Sequence, residues 1–195
     1  GDNSYLAKAS LSAGAAPTWV SIADLNRDGK PDLVVANALN TVSIFPNTTA
    51  TAGATSTNFG SAITLTGSAG SSTSSLAIGD VNGDGWPDIA MANSGLNAVT
   101  IFKNTTSSGG AITFTTQAVS VTVGSAPLAI SMCDLDGDGR PDLVTTNSSG
   151  NNVSLLRNQS VSGTISYAAA LSLTAGTTPR SVAIGDFDGD GRVDL

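Results

Sequence analysis

The chain of 195 residues has a formal net charge of −7, with 15 aspartates, no glutamate, no histidine and only 8 lysines and arginines. Without a basic stripe to neutralise phosphates, nucleic acid is excluded as a partner. No run approaches the roughly 18 apolar residues of a membrane span. β-Branched residues are plentiful, and strong helix formers other than alanine and leucine are scarce, which predicts an all-β protein.

The predicted strands follow one order that recurs along the chain. Each unit begins with a short strand in which apolar and polar residues alternate, as in "WVSIAD" at 19–24. An aspartate-rich loop follows, then a second strand such as "LVVAN" at 33–37, a third such as "NTVSIFPN" at 40–47 and a fourth such as "FGSAITLTG" at 59–67. Four short strands joined by turns are typical of one blade of a β-propeller.

The aspartate-rich loop occurs four times and is the clearest repeat in the sequence. Its copies begin at residues 24, 80, 134 and 186, at spacings of 56, 54 and 52 residues, and contain 14 of the 15 aspartates. A period of this length indicates a repeat architecture. The copies are "DLNRDGKPDL", "DVNGDGWPDI", "DLDGDGRPDL" and "DFDGDGRVDL", which we number loops one to four, counting positions from the first aspartate.

The composition of these loops predicts a metal site in each. Clustered carboxylates repel one another unless a cation lies among them. Positions 1, 3, 5 and 9 offer side-chain oxygens and position 7 a backbone carbonyl, an oxygen-only set that favours calcium, with about four ions per chain. Glycine at position 6 permits the sharp turn that such a loop needs. The predicted ligands are Asp24, Asn26, Asp28, Lys30 and Asp32; Asp80, Asn82, Asp84, Trp86 and Asp88; Asp134, Asp136, Asp138, Arg140 and Asp142; and Asp186, Asp188, Asp190, Arg192 and Asp194, with Lys30, Trp86, Arg140 and Arg192 binding through their backbone carbonyls.

Two other interpretations of the loops fit the sequence less well. An EF-hand requires a glutamate at position 12 and flanking helices, and this chain has Val35, Met91 or Thr145 there. Aspartate and glycine also favour plain solvated turns, but four loops at fixed positions favour metal binding.

Position 3 is aspartate in loops three and four, which predicts the tightest calcium binding at loop three. Loop four is predicted to bind most weakly, because its second strand extends only to Leu195.

Short motifs between the loops carry a resemblance to a known family. A Gly-x-Ala-Pro motif precedes the first strand at 14–17 and at 124–127, and Phe59-Gly60 opens a fourth strand. Together with the loops, these motifs resemble the FG-GAP/VCBS repeat family, typified by the propeller of integrin α subunits and by bacterial surface proteins. The chain departs from the pattern at Thr73 and Val193, where its other units have proline.

The resemblance implies about three and a half propeller blades, each of four antiparallel strands, belonging to a larger or completed propeller. The expected boundaries are 1–16 for the outer strand of a preceding blade, 17–70, 71–124 and 125–176 for blades one to three, and 177–195 for the start of blade four.

Catalysis is not expected, because the chain has no histidine or glutamate and its aspartates lie in the loops. The resemblance implies a calcium-stabilised binding or adhesion module of an extracellular or cell-surface protein, with protein or matrix ligands. Two alternatives stay open: a lectin-like propeller that binds glycans, and an architectural subunit that self-associates through open blade edges.

Trp19 and Trp86 offer faces for stacking on a sugar, although packing between blades is the commoner role. Asn47, Asn104 and Asn158 share one repeat position, which favours strand-end turn chemistry over glycosylation.

Overall fold

The computed structural model describes residues 10–50, 58–67, 72–115 and 118–195. Within these ranges no helix is long and apolar enough to cross a membrane. The strands are β1 (Pro17–Ala23), β2 (Asp32–Asn37), β3 (Thr41–Phe45), β4 (Ile63–Thr66), β5 (Thr73–Gly79), β6 (Asp88–Asn93), β7 (Ala98–Phe102), β8 (Val119–Thr122), β9 (Pro127–Cys133), β10 (Asp142–Asn147), β11 (Asn152–Leu156) and β12 (Leu171–Thr174).

The strands form three antiparallel sheets of four, in the orders β1-β2-β3-β4, β5-β6-β7-β8 and β9-β10-β11-β12. Each sheet therefore contains one complete repeat, and consecutive strands of the repeat are neighbours in the sheet. This arrangement confirms the predicted all-β class and the four-stranded blade. We call the three sheets blades one, two and three.

Two hydrophobic cores hold the blades together, one on each face of blade two. The alternation of β6 supplies both, because successive side chains of a strand point to opposite faces. Ile89 and Met91 pack in the first core with Val34 and other residues of blade one, and Ala90 packs in the second with Leu143 and other residues of blade three. β6 is buried along its whole length. Its period of two therefore separates the residues of one core from those of the other, and not buried residues from exposed ones.

Hydrogen bonds between neighbouring first strands fasten one blade to the next. The Thr18 hydroxyl donates to the carbonyl of Thr73 at 3.2 Å, and the Ser74 hydroxyl donates to the carbonyl of Pro127 at 2.8 Å. The N–H of Ile130 donates to the Ser75 hydroxyl at 3.0 Å. The small polar residues of these strands therefore satisfy backbone groups of the adjacent blade.

The fourth strands are shorter than the sequence predicts. The segment predicted as one strand over 59–67 consists of an isolated bridge between Phe59 and Asn47, followed by β4. In blade three an isolated bridge at Tyr167 likewise precedes β12, and in blade two an isolated bridge at Phe114 precedes β8.

The fourth unit differs from the other three. The alternating segment 181–184 was predicted as a first strand, but residues 177–195 contain only an isolated bridge between Gly185 and Asp194. A strand needs a neighbour to pair with, and within the described residues no strand or bridge pairs with 181–184. Of the outer strand predicted over 1–16, residues 1–9 lie outside the described ranges, and 10–16 form no strand.

Candidate metal loops

The aspartate at position 1 organises the backbone of every loop. In loop three, the Asp134 carboxylate accepts the N–H groups of Gly137, Asp138 and Gly139 at 2.8, 3.1 and 2.8 Å. The position 1 aspartates of the other loops accept the equivalent N–H of the position 6 glycine. Because several N–H groups converge on one carboxylate, the chain wraps around it and brings the later side chains of the loop together.

Each loop turns through two residues in the left-handed region. At position 6, Gly29, Gly85, Gly139 and Gly191 have φ between 82° and 88°, as the sequence predicted. At position 4, loops two to four also have glycine with positive φ, whereas loop one has Arg27 at φ 55°. A side chain in this region costs about 1 kcal/mol of conformational strain. Loop one therefore adopts the same backbone conformation as the other loops with this added strain at Arg27. Position 4 was not among the predicted positions, although its glycines in three of the four loops were a usable signal.

Positions 3 and 5 complete a cluster of oxygens. In loop three, one carboxylate oxygen from each of Asp134, Asp136 and Asp138 lies within 4.8 Å of the others, and positions 1, 3 and 9 of loop four form a similar group. In loop two, the amide oxygen of Asn82 at position 3 accepts the N–H of Asp84 at 2.9 Å. An all-oxygen cluster of this density fits a hard cation such as calcium.

The residues at position 7 are held by their backbone. The N–H groups of Lys30, Trp86, Arg140 and Arg192 donate to the position 5 carboxylate of their own loop, at 2.8 to 3.0 Å. This bond uses no side-chain atom of the position 7 residue, which accounts for the variety of residues at this position. Metal binding by their carbonyl groups stays a prediction.

The aspartate at position 9 has a structural role in the first three loops. Asp32, Asp88 and Asp142 are at most 2% exposed. In loop two, one Asp88 oxygen accepts the N–H of Val81 at 3.1 Å and the other accepts the N–H of Asn104 at 2.8 Å. The carboxylate therefore ties the start of its loop to the end of the third strand.

The electrostatic environment of position 9 also favours a bound cation. Burial, together with the smaller effects of the nearby charges of Asp84 and Asp80, raises the pKa of Asp88 to about 6 against the opposing effect of its backbone hydrogen bonds. Burial likewise raises the pKa values of Asp32 and Asp142. A cation within the loop would offset both the burial and the repulsion.

The asparagines after the third strands of blades two and three link each of these blades to the preceding loop. Asn104 donates from Nδ2 to the carbonyls of Pro87 and Leu25 at 3.0 and 2.9 Å, the second of which belongs to loop one. Asn158 makes the equivalent bond to Val81 of loop two at 2.8 Å. The predicted turn chemistry is present, since the Asn104 amide oxygen also accepts the N–H of Thr106. The bond between blades was not predicted from the sequence.

Positively charged side chains lie against the carboxylates of loops two and three. The Lys103 ammonium is 3.3 Å from Asp84. In loop three, Arg157 pairs with Asp136 and lies 3.7 Å from Asp138. Hydrogen bonds from the backbone and side chain of Arg140 hold the pKa of Asp138 below its usual value, with a further contribution from Arg157.

The two tryptophans have different surroundings. The guanidinium of Arg27 in loop one lies 4.9 Å from the ring centroid of Trp86 in loop two, a cation–π contact that joins the two loops. Trp86 thus contacts the loop of the neighbouring blade. Trp19 on β1 is 48% exposed.

Comparison with known proteins agrees with this repeat structure. The model of the FG-GAP-like repeat matches three times, over residues 24–91, 80–145 and 134–195, and each match begins at one of the loops. No curated protein shows significant similarity to the chain. Repeats of this family generally serve as non-catalytic binding or structural modules and are typical of extracellular or surface proteins. The three matches together span residues 24–195, so the chain belongs to the FG-GAP-like repeat family.

Proposed function

We propose that this chain is a calcium-stabilised, non-catalytic binding or adhesion module of an extracellular or cell-surface protein. The observation that carries the proposal is the clustering of loop carboxylates, with oxygens of Asp134, Asp136 and Asp138 within 4.8 Å of one another. Calcium is the best fit among hard cations, because it accepts six to eight oxygen ligands in irregular geometry, whereas magnesium demands a near-ideal octahedron.

The ion would act on the joints between blades. Loops one to three each connect the first and second strands of their own blade, and loops one and two also form hydrogen bonds with the following blade. In loop one, the carbonyl of Asn26 accepts the N–H of Gly109 at 2.9 Å, and its amide donates to the carbonyl of Gly110 at 3.3 Å. An ion that holds the loop in this conformation therefore stabilises the interface as well as the turn.

The proposal is tested by calcium titration of chelator-treated protein in a calorimeter, with thermal unfolding in parallel. About four ions should bind at concentrations up to about 10⁻³ M, the range of extracellular modules. The melting temperature should rise with calcium, because the ion binds the folded state. The variant Asp134→Asn/Asp138→Asn should lose one ion from the stoichiometry. Absence of binding at millimolar calcium, with an unchanged melting temperature, would overturn the proposal.

A second candidate function is glycan binding, favoured by a groove between the outer strands of blades two and three. Its volume is about 740 Å³, and its walls combine hydroxyl groups such as those of Ser120 and Ser172 with the partly buried ring of Tyr167. Hydroxyls beside an aromatic ring suit a sugar, which has both polar and apolar faces. Binding to a glycan array that the groove-filling variant Ser172→Trp abolishes would support this function. A signal that persists in this variant would exclude the groove.

A further inference from the structure

We propose that Lys103 is a tethered cation that lowers the calcium affinity of loop two, with Arg157 acting in the same way on loop three. This inference rests on the proposed calcium function and concerns how strongly the individual loops bind. The two residues occupy one repeat position, directly before the asparagine that links neighbouring blades. In blade one that position is Pro46, which has no charge.

Contacts on both sides hold Lys103 beside loop two. The next residue, Asn104, is 1% exposed, and its N–H donates to Asp88 at 2.8 Å. The Lys103 ammonium donates to the carbonyl of Gly163 in blade three at 2.7 Å and lies 3.3 Å from the Asp84 carboxylate. Both partners are partly shielded from solvent, with side-chain exposures of 30% for Lys103 and 24% for Asp84. The charge is therefore anchored at a ligand carboxylate.

Arg157 has a similar relation to loop three. Its Nε pairs with the carboxylate of Asp136, and a terminal nitrogen lies 3.7 Å from the carboxylate of Asp138. A calcium ion that uses these carboxylates must share them with the guanidinium or displace it. The added charge of Asp136, which predicts the tightest binding at loop three, is thus partly neutralised by a residue 21 positions later in the chain.

Loops one and two have the same predicted side-chain ligands, because both offer aspartate at positions 1, 5 and 9 and asparagine at position 3. They differ in the residue before the asparagine that follows the third strand, Pro46 in one case and Lys103 in the other. Loop one also carries the cations Arg27 and Lys30, where loop two has Gly83 and Trp86. A positive charge near a divalent cation opposes its binding. The effect of Lys103 is therefore measured within loop two, by changing this residue alone.

The experiment uses the whole chain and terbium(III), with Trp86 as a built-in antenna at position 7 of loop two. Emission from terbium excited through Trp86 reports on loop two, and displacement of terbium by calcium gives the calcium affinity. The variant Lys103→Met keeps a similar side-chain length and removes the charge. We expect Lys103→Met to raise the terbium affinity and the calcium affinity of loop two about three- to tenfold. This is the effect of one nearby unit charge in a largely aqueous setting.

Three control variants isolate the local charge. Asp84→Asn removes a predicted ligand of loop two and should weaken the emission, which assigns the signal to loop two. Lys103→Arg retains the charge and should leave the affinity close to that of the unmodified chain. Arg180→Met removes one positive charge from an exposed residue outside the loops and should leave the affinity unchanged.

The outcomes separate this inference from the proposed function. Emission through Trp86 with equal affinities for Lys103→Met and the unmodified chain would overturn the role of Lys103 and leave the calcium loops intact. Equal gains in Lys103→Met and Arg180→Met would overturn it as well, because net charge would then be the cause. Absence of emission through Trp86 together with absence of calcium binding would overturn the calcium function and with it this inference.

Discussion

Asn104 donates a hydrogen bond from its side-chain amide to the backbone carbonyl of Leu25, over 2.9 Å and across 79 positions of the chain. Asn158 and Val81 repeat this relationship one blade later, at 2.8 Å. In both pairs the acceptor is the second residue of an aspartate-rich loop. The loops and the joints between blades are therefore parts of one hydrogen-bonded structure.

Replacing Asn104 by alanine is expected to destabilise the protein by about 2 kcal/mol, because the buried carbonyl of Leu25 and the partly buried carbonyl of Pro87 lose their donor. Asn47→Ala is the matched control: its amide donates to Pro31 of its own blade, with no bond to another blade among the described residues. Its cost should be about 1 kcal/mol. Urea unfolding measures both values. Equal costs would contradict an energetic role for the bond between blades.

Truncating Leu25 to alanine is expected to destabilise the protein by about 3 kcal/mol. The side chain is fully buried in the core between blades one and two, and its loss leaves a cavity. Phe187 occupies the same position of loop four and is 66% exposed. Phe187→Ala should therefore change the free energy of unfolding by less than about 0.5 kcal/mol. Similar effects of the two substitutions in thermal unfolding would contradict the described packing of loop one.

Gly139→Ala tests the left-handed turn at position 6. The backbone φ of 82° is unfavourable for alanine, whereas a Cβ atom at this position would meet nothing within 4 Å. We expect a loss of about 1 kcal/mol from backbone strain alone. Gly176 has equally open space and is not among the left-handed glycines, so Gly176→Ala should be close to neutral. A neutral Gly139→Ala in chemical denaturation would exclude a strained turn.

Loop four should release calcium before loop three as a chelator is added. The two loops have the same predicted side-chain ligands, but Asp142 in loop three is buried and accepts the N–H groups of Leu135 and Asn158. In loop four, the Asp194 carboxylate accepts only the backbone N–H of Phe187 among the described residues, in a segment without strands. A poorly supported ligand binds less tightly. The amide NMR signals of Gly139 and Gly191 should report the order, and earlier release at Gly139 would contradict it.

The sequence by itself determined the blade and the loop. Strand alternation has a period of two residues, and the aspartates and glycines of each loop lie within ten residues. Both patterns are therefore local and can be read along the chain. The second strands and the position 6 turns accordingly occur where they were predicted. The segment 181–184 is the exception, because alternation alone does not make a strand without a neighbour to pair with.

Only the tertiary structure decided how the repeats act on one another. The bond from Asn104 to Leu25, the contact of Arg27 with Trp86 and the pairing of Lys103 with Asp84 join residues from different strands, turns or blades. The two residues of each pair do not lie in one strand or turn, so no local sequence period predicts their contact. Their geometry depends on how sheets pack face to face, which is set by the two shared cores. The charge on each loop is therefore a property of the folded chain, whereas the number of its aspartates is a property of the sequence.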